Sequence, residues 1–281
     1  VDMNVQEIPT GFHALDWTVP REWNIRDAYI KNESGERVVD FKQSNLHVLN
    51  YSVPIKGSFT LEELRPHLFT NPEYPDAIPY VTSYYEENWG FCLSQNQLDA
   101  LPEGTYEVVV DSTLADGHLT LADAVLPGRS GKEILFSTYV CHPSMANNEL
   151  SGPIVTAFLY HLLNEFDLWH TFRFVYAPET IGTLIYLAEN GDYLRTHMEA
   201  GYVVTCAGDA GPFTYKRSRR GETAADRVAE HCLKHMNPKY AINILDFFPG
   251  GSDERQYCSP GFNFPVGSLM RSMYGTYPEY H

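Results

Sequence analysis

The stretch ILFSTYVCHPSMANNELSGPIVTAFLYHLLNEF, residues 134–166, decides how this chain is read. It opens as an apolar, β-prone run and stops abruptly at Cys141-His142-Pro143. Two asparagines, Glu149 and a Ser-Gly pair follow, and apolar residues then recur at a helical period. A short apolar run bounded by turn residues suits a buried strand, and the 3.6-residue recurrence suits a helix. The same rhythm continues downstream. TFRFVYA (171–177) and YVVTC (202–206) read as strands, each followed by a helical pattern, IGTLIYLAEN and ADRVAEHCLKHM. INILDFF (242–248) and PVGSLM (265–270) read as further strands. Strands alternating with helices predict an α/β fold with a mostly parallel central sheet and flanking helices.

Upstream of Pro127-Gly128 the pattern is different. DAYIKN, NLHVLNYSV, IPYVTSYY, FCLS and TYEVVVD carry β-branched and aromatic residues, separated by turn signals such as KGS, NPEYPD and PEG. TLEELRPHL is the one helix expected there, with Thr60 as its cap and Glu63 three residues on. The shift predicts a small β-rich domain over 33–125, with 1–32 and 126–281 forming the α/β domain.

The 281 residues suffice for one large or two ordinary domains. Apolar residues at 43% and charged residues at 20% describe a globular chain. A net charge of −16 argues against nucleic acid and against an anionic membrane surface, since both need basic protein surface. No apolar run reaches the roughly 20 residues that span a bilayer. VDMNVQEIPTG lacks the basic and apolar regions of a signal peptide. Five scattered cysteines without CxxC spacing suit reduced thiols, so a cytoplasmic location is expected.

In an open α/β sheet, ligands bind beyond the carboxyl ends of the strands. Applied here, the rule gathers His142, Asn147, Asn148 and Glu149 after one strand and Glu179 after the next. Asp209 and then Asp253-Glu254 follow later strands, and the chain runs on to His281. Histidines and carboxylates converging on one edge suit zinc, which takes both and keeps a position open for water in catalytic sites. Each residue also has a purely structural role available. His142 could bond backbone, Asn147, Asn148 and Ser151 could cap the following helix, Glu179-Thr180 could cap the next, and Ser252-Asp253-Glu254 could open a short one. YKRSRRG (215–221) is a basic knot in an acidic chain. It is either a solvated turn or a clamp in which Arg217, Arg219 and Arg220 hold a substrate anion. His231 and His235 share a helix face without a glutamate companion and read as structural.

CHPSMANNELSGP, APETIGT, VVTCAGDAGPFTYKRSRRG, GGSDERQY and YPEYH, with DWTVPREWNIRDAYI and PYVTSYYEENWGFC upstream, resemble the aminopeptidase-like proteins of bacterial polysaccharide-biosynthesis clusters. The resemblance covers nearly the whole chain. It implies kinship with zinc aminopeptidases, a phosphorylase/hydrolase-like α/β fold, and a β-rich domain inserted into that fold. It also implies that members extend further at both ends, so the sequence is expected to be a fragment. On the family pattern, His142 matches an early histidine ligand and His281 a late one. Asn148 stands where relatives carry a metal-bridging aspartate, and Glu149 follows it. Glu179 stands alone where relatives have a Glu-Glu pair, and Thr205 or Cys206 falls where a second aspartate would be. Asp253 matches an acid of the pocket in related glutaminyl cyclases. A neutral amide cannot screen two dications, so the expectation is a single zinc held by His142, Glu149 and His281. Glu179 is then base or ligand, and Asp253 lies in the catalytic pocket. The function expected is a zinc-dependent hydrolase of the aminopeptidase type, acting on a small peptide or aminoacyl substrate, with a homo-oligomer compatible. The alternatives are a decayed peptidase fold that binds peptide or carbohydrate, or a single-zinc cyclase or acyltransfer enzyme.

Overall fold

A computed structural model describes residues 2–84 and 86–277. The chain forms two compact units. Among the described residues, one is built from those up to Val19 and from His118 on, the other from those within Pro20–Gly117.

The larger unit carries an eight-stranded sheet. In chain order its strands are β1 (Asn4–Pro9), β2 (His118–Leu126), β3 (Glu133–Tyr139), β4 (Thr171–Ala177), β5 (Met198–Val204), β6 (Phe213–Lys216), β7 (Ile242–Leu245) and β8 (Val266–Met270). Their spatial order is β1-β2-β4-β3-β5-β8-β6-β7. The centre, β4-β3-β5-β8, is parallel, as is β6-β7. The junctions β1-β2, β2-β4 and β8-β6 are antiparallel. Helices α1 (Ser151–Leu163), α2 (Ile181–His197) and α3 (Ala224–Lys234) and the short α4 (Glu254–Tyr257) flank it. This is the mixed α/β architecture with a large central sheet that the strand–helix rhythm predicts.

Alternation along the central strands feeds two layers. Leu135, Val175, Ala177 and Val203 pack with Ile185, Tyr186 and Leu194 of α2 and with Tyr257 of α4. Phe174 and Tyr176 face the other way, towards Leu159, Tyr160 and Leu163 of α1. On that same side of β5, Tyr202 packs with Ala225, Ala229 and Leu233 of α3. Where α1 comes closest to the sheet its residues are small. Gly152 and Thr156 are its buried positions. A Cβ at Gly152 would lie 2.3 Å from the Val204 carbonyl oxygen, so glycine is required for the approach. The residues Ile154, Phe158 and Leu162, spaced four apart, consequently face outward and are more than half exposed.

Across β2, β3 and β4 the sheet carries a buried charge cluster. Arg173 donates to Asp123 at 2.7 Å and to both oxygens of Glu133 at 2.7 and 3.1 Å. Burial raises the carboxyl pKa of Glu133, but the Arg173 bonds outweigh it and the net shift is downward.

The smaller unit is a four-stranded antiparallel sheet with spatial order 37–40, 22–31, 105–115, 55–60. Its core gathers Ala28, Ile30, Val39, Leu61, Leu64, Phe91, Tyr106, Val108 and Val110. The expected helix start is present: Thr60 and Glu63 form a reciprocal capping box. NLHVLNYSV is not a strand. Its first residues form a 3-10 turn, and Tyr51 takes a positive φ of 72°. Strand 22–31 pairs wholly within this sheet, and His118–Leu126 pairs within the larger one.

Candidate metal centre

The site forms where β3, β4 and β5 end side by side. Three residues just past these ends hold left-handed backbone: Ser144 (φ 70°), Thr180 (φ 63°) and Cys206 (φ 44°). Such backbone costs of order 1–3 kcal/mol each, and it persists where the surroundings fix it, which is most often at functional sites.

After β3 the chain passes His142 and enters a five-residue π-turn, Ala146–Leu150, that widens into α1. Turns of this kind are rare and concentrate at functional sites. Its inward residues are Asn148 and Glu149, both buried. None of the short polar residues caps a helix end with its side chain. Instead they tie the turn to the loop after β5. Asn147 accepts from Gly208 N at 2.7 Å and donates to Asp209 at 2.8 Å, and Ser151 accepts from Ala207 N at 2.8 Å.

His142 lies between two carboxylates. Its Nδ1 is 2.7 Å from Glu149 Oε1, and its Nε2 is 3.9 Å from Glu179 Oε2. Burial lowers the imidazole pKa, but the Glu149 bond and the two negative charges overcome it, so the net shift is upward. Burial pushes the Glu149 carboxyl up to about 7, although His142 pulls against it. Glu149 Oε2 is buried without a hydrogen-bond partner. Cys141, His142 and Glu149 offer donor atoms within 4.8 Å of one another.

Behind Glu149 is a neutral cage. Asn148 donates from Nδ2 to Glu149 Oε1 at 2.7 Å. Its Oδ1 accepts from Tyr139 OH at 3.0 Å, Thr205 Oγ1 at 3.2 Å and Cys206 Sγ at 3.2 Å. Burial raises the Tyr139 and Cys206 pKa values, so both stay protonated at neutral pH. Both polar ends of the Asn148 amide are thus engaged.

Glu179 sits on a tight turn. Ile181 N donates to Glu179 O at 2.7 Å across Thr180, whose φ and ψ of 63° and −62° define a γ-turn of the strained kind. The turn has two anchors. Glu179 N donates to Cys141 Sγ at 3.0 Å, and Thr180 N donates to Asp253 Oδ1 at 2.6 Å. Thr180 makes no side-chain cap bond. Burial raises the Glu179 pKa. Asp253 is completely buried, and burial together with the Glu179 charge pushes its carboxyl up to about 8. Its role in the structure is to hold the turn rather than to cap α4, and its Oδ2 lacks a partner.

The basic knot divides. Lys216 turns inward, fully buried, and donates to Glu254 at 2.6 Å, Gly250 O at 2.8 Å and Tyr274 OH at 2.9 Å. Arg217 is paired with Glu230 at 2.7 Å and Asp246 at 2.6 Å, and Arg219 and Arg220 are exposed. His231 of α3 and His235 just past its end are both exposed, their rings tilted against each other with centroids 4.2 Å apart. His281 lies outside the described residues. The sequence rule therefore brings together His142, Glu149, Glu179 and Asp253. It did not single out Tyr139 or Cys141, and it left Lys216 as one more residue of the basic knot.

Raised carboxyl pKa values carry a stability consequence. In the metal-free protein Asp253 costs nothing below its ordinary value of 3.8, where it is protonated folded or unfolded. Between there and about 8 the folded state holds the extra proton, so stability falls as pH rises. Asp253→Asn keeps an acceptor for Thr180 N and removes the titration. In chelator, the variant's thermal midpoint is expected to fall less than wild type's between pH 5 and 8, by the equivalent of a few kcal/mol at most. Parallel pH profiles would contradict a buried, titrating Asp253.

A large mixed sheet with flanking helices is the architecture seen in zinc aminopeptidase structures. The Bacillus subtilis zinc aminopeptidase BSAP superposes with a TM-score of 0.66 at 10% identity, covering 100% of this chain and 78% of that one. A peptidase M28 precursor from Shewanella amazonensis gives 0.64 at 14%, covering 96% and 75%. The chain belongs to the family described as domain of unknown function DUF4910, whose model matches residues 1–281. A Clostridium acetobutylicum protein named for polysaccharide biosynthesis and an aminopeptidase-like domain is 49% identical over 281 residues. This chain spans 64% of that protein's length. A crystal structure from the same organism, named as a peptidase, superposes at a TM-score of 0.96 with 48% identity, covering 99% of this chain and 65% of that one. Among the described residues no helix is long and apolar enough to cross a membrane.

Proposed function

We propose that the larger unit is a metal-dependent hydrolase of the aminopeptidase type, cleaving a small peptide or aminoacyl amide with the help of one zinc ion. The observation that carries this reading is His142 set between two carboxylates, with Nδ1 2.7 Å from Glu149 and Nε2 facing Glu179 at 3.9 Å, beyond hydrogen-bond length. An imidazole with carboxylates is a donor set that zinc takes readily. His142, Glu179 and Glu149 are the described residues that would hold and orient it, with His281 as a further ligand. When bound, zinc would lower the pKa of a water and polarise the scissile carbonyl.

The chain's own groups do the rest. Glu179, two atoms of whose turn are anchored, presents one oxygen towards His142 and has a second to take the water's proton. Asp253 acts through the Thr180 amide, keeping that carboxylate aimed. The neutral Asn148 cage offers no charge for a second dication, which supports one ion rather than two. The exposed Arg219 and Arg220 are available to a substrate carboxylate. The five free thiols suit a reducing cytoplasm.

Metal analysis tests the reading. Protein purified without chelator is expected to carry about one zinc per chain, and His142→Ala is expected to lose it while staying folded. Two equivalents that survive in His142→Ala would overturn the single-site assignment.

A further inference from the structure

The two nitrogens of His142 meet their carboxylates at different distances, and the difference separates two roles. Ligands about 2.1 Å from one tetrahedral zinc lie about 3.4 Å apart. The 2.7 Å between Nδ1 and Glu149 Oε1 is too short for that, and it is the length of a charge-assisted hydrogen bond. The 3.9 Å between Nε2 and Glu179 Oε2 is beyond hydrogen-bond length and close to the spacing of two ligands on one ion. A ring nitrogen that carries the proton cannot also carry the metal.

We infer that Glu149 is a positioning residue rather than a ligand: it accepts the Nδ1 proton of His142 and so turns the Nε2 lone pair, with Glu179, towards the metal. The inference rests on the zinc reading above and assigns the roles within it. Metal-bound histidines commonly give their other N–H to a carboxylate that fixes ring orientation. Here the carboxylate is itself fixed, because Asn148 Nδ2 donates to the same Oε1 at 2.7 Å and Asn148 is pinned by Tyr139, Thr205 and Cys206. Oε2, though unpartnered, belongs to a carboxyl already committed to the Nδ1 side of the ring. The competing arrangement puts the ion among Cys141 Sγ, His142 Nδ1 and Glu149. It would have to break the Nδ1–Glu149 bond, and it would recruit a sulfur that already accepts the Glu179 N–H.

The two arrangements predict different metal-binding behaviour. Zinc affinity is measured by competition with a chromophoric chelator for wild type, Glu149→Gln, Glu149→Leu, Glu179→Gln and Cys141→Ser. Glutamine keeps an acceptor oxygen for the Nδ1 proton, so Glu149→Gln is expected to bind within about 10-fold of wild type. Glu149→Leu is expected to lose about 10–100-fold, the usual cost of removing an orienting partner. Glu179→Gln is expected to lose more than either, and Cys141→Ser to change little. Two measurements on wild type guard against variants that misfold. The cobalt-substituted protein is expected to lack a thiolate-to-metal charge-transfer band, and nitrogen NMR of the zinc form to show His142 protonated at Nδ1. A thiolate band, a metal-bound Nδ1, or a folded Glu149→Gln that loses zinc as completely as Glu179→Gln would overturn the inference and leave the zinc reading standing. Wild-type protein that binds neither zinc nor cobalt would overturn both.

Discussion

Lys216→Met is expected to cost about 3–5 kcal/mol of folding stability, the range seen when one partner of a buried ion pair is removed. Lys216 and Glu254 have side chains with 0% exposure and meet at 2.6 Å. The ammonium also donates to Gly250 O and Tyr274 OH and lies 3.6 Å from the centre of the Phe248 ring. Methionine has nearly the same length and would fill the space. What it cannot do is neutralise Glu254, which would be left charged, dry and unpaired. Much of the cost comes from the stranded carboxylate, so Lys216→Met with Glu254→Leu should recover most of the loss, because a well-packed apolar pair is often as stable as the ion pair it replaces. Denaturant unfolding of the two singles and the double measures this directly. A single variant within about 1 kcal/mol of wild type would mean that the loop opens to water and the pair is not truly buried. The effect should reach the site as well, because the same loop continues into Asp253, whose carboxyl holds the Glu179 turn.

How far the sequence exposes such a network depends on what kind of regularity it leaves. The short apolar runs at 134–140, 171–177 and 202–206 follow from burial on two faces, and with the helical patterns between them they specify the central sheet. Once the sheet is known, the strand-end rule places His142, Glu149, Glu179 and Asp253 together without any contact being known. Lys216 defeats the same logic. It stands in a run of basic residues, which by composition belongs in water, yet β6 pairs with β7 and β8 and turns this lysine inward. Its partner lies 38 positions away, and nothing local announces it. The Glu149–His142 contact is likewise illegible, because it depends on a π-turn that adds a residue to the helix start and rotates Glu149 inward. The segment 45–53 shows the opposite failure. Its β-prone composition is real, but His47 bonds to Cys92 O at 2.8 Å and Tyr51 takes a left-handed conformation, so tertiary bonds override the local preference. A strand such as His118–Leu126 looks alike in either sheet, and only its partners, β1 and β4, decide where it belongs.

Glu179→Gln should have the largest effect on chemistry, lowering hydrolysis by at least the roughly 10²–10⁴-fold typical of losing a general base. Glutamine keeps the shape of the side chain, and both anchors of the turn bind its backbone rather than its carboxyl, so the loop should stay in place. Only the charge and the proton-accepting oxygen are removed. If Glu179 faces the ion across the 3.9 Å gap from His142 Nε2, zinc occupancy and activity should fall together as metal is titrated. Saturating zinc should then restore occupancy but not rate, because the proton acceptor is still missing. Measuring kcat at increasing zinc, alongside bound metal, separates the two contributions. Activity that returns fully with added zinc would make Glu179 a ligand and nothing more. Full occupancy with no rate at any concentration would make it the base alone. The result that would most damage the enzyme reading is different. Wild-type protein that holds zinc, hydrolyses nothing in a broad panel of peptide and aminoacyl substrates, and binds peptide or sugar just as tightly after Glu179→Gln would be a recognition module. In that case the strained turn at Thr180 would be serving a surface for binding rather than a centre for reaction.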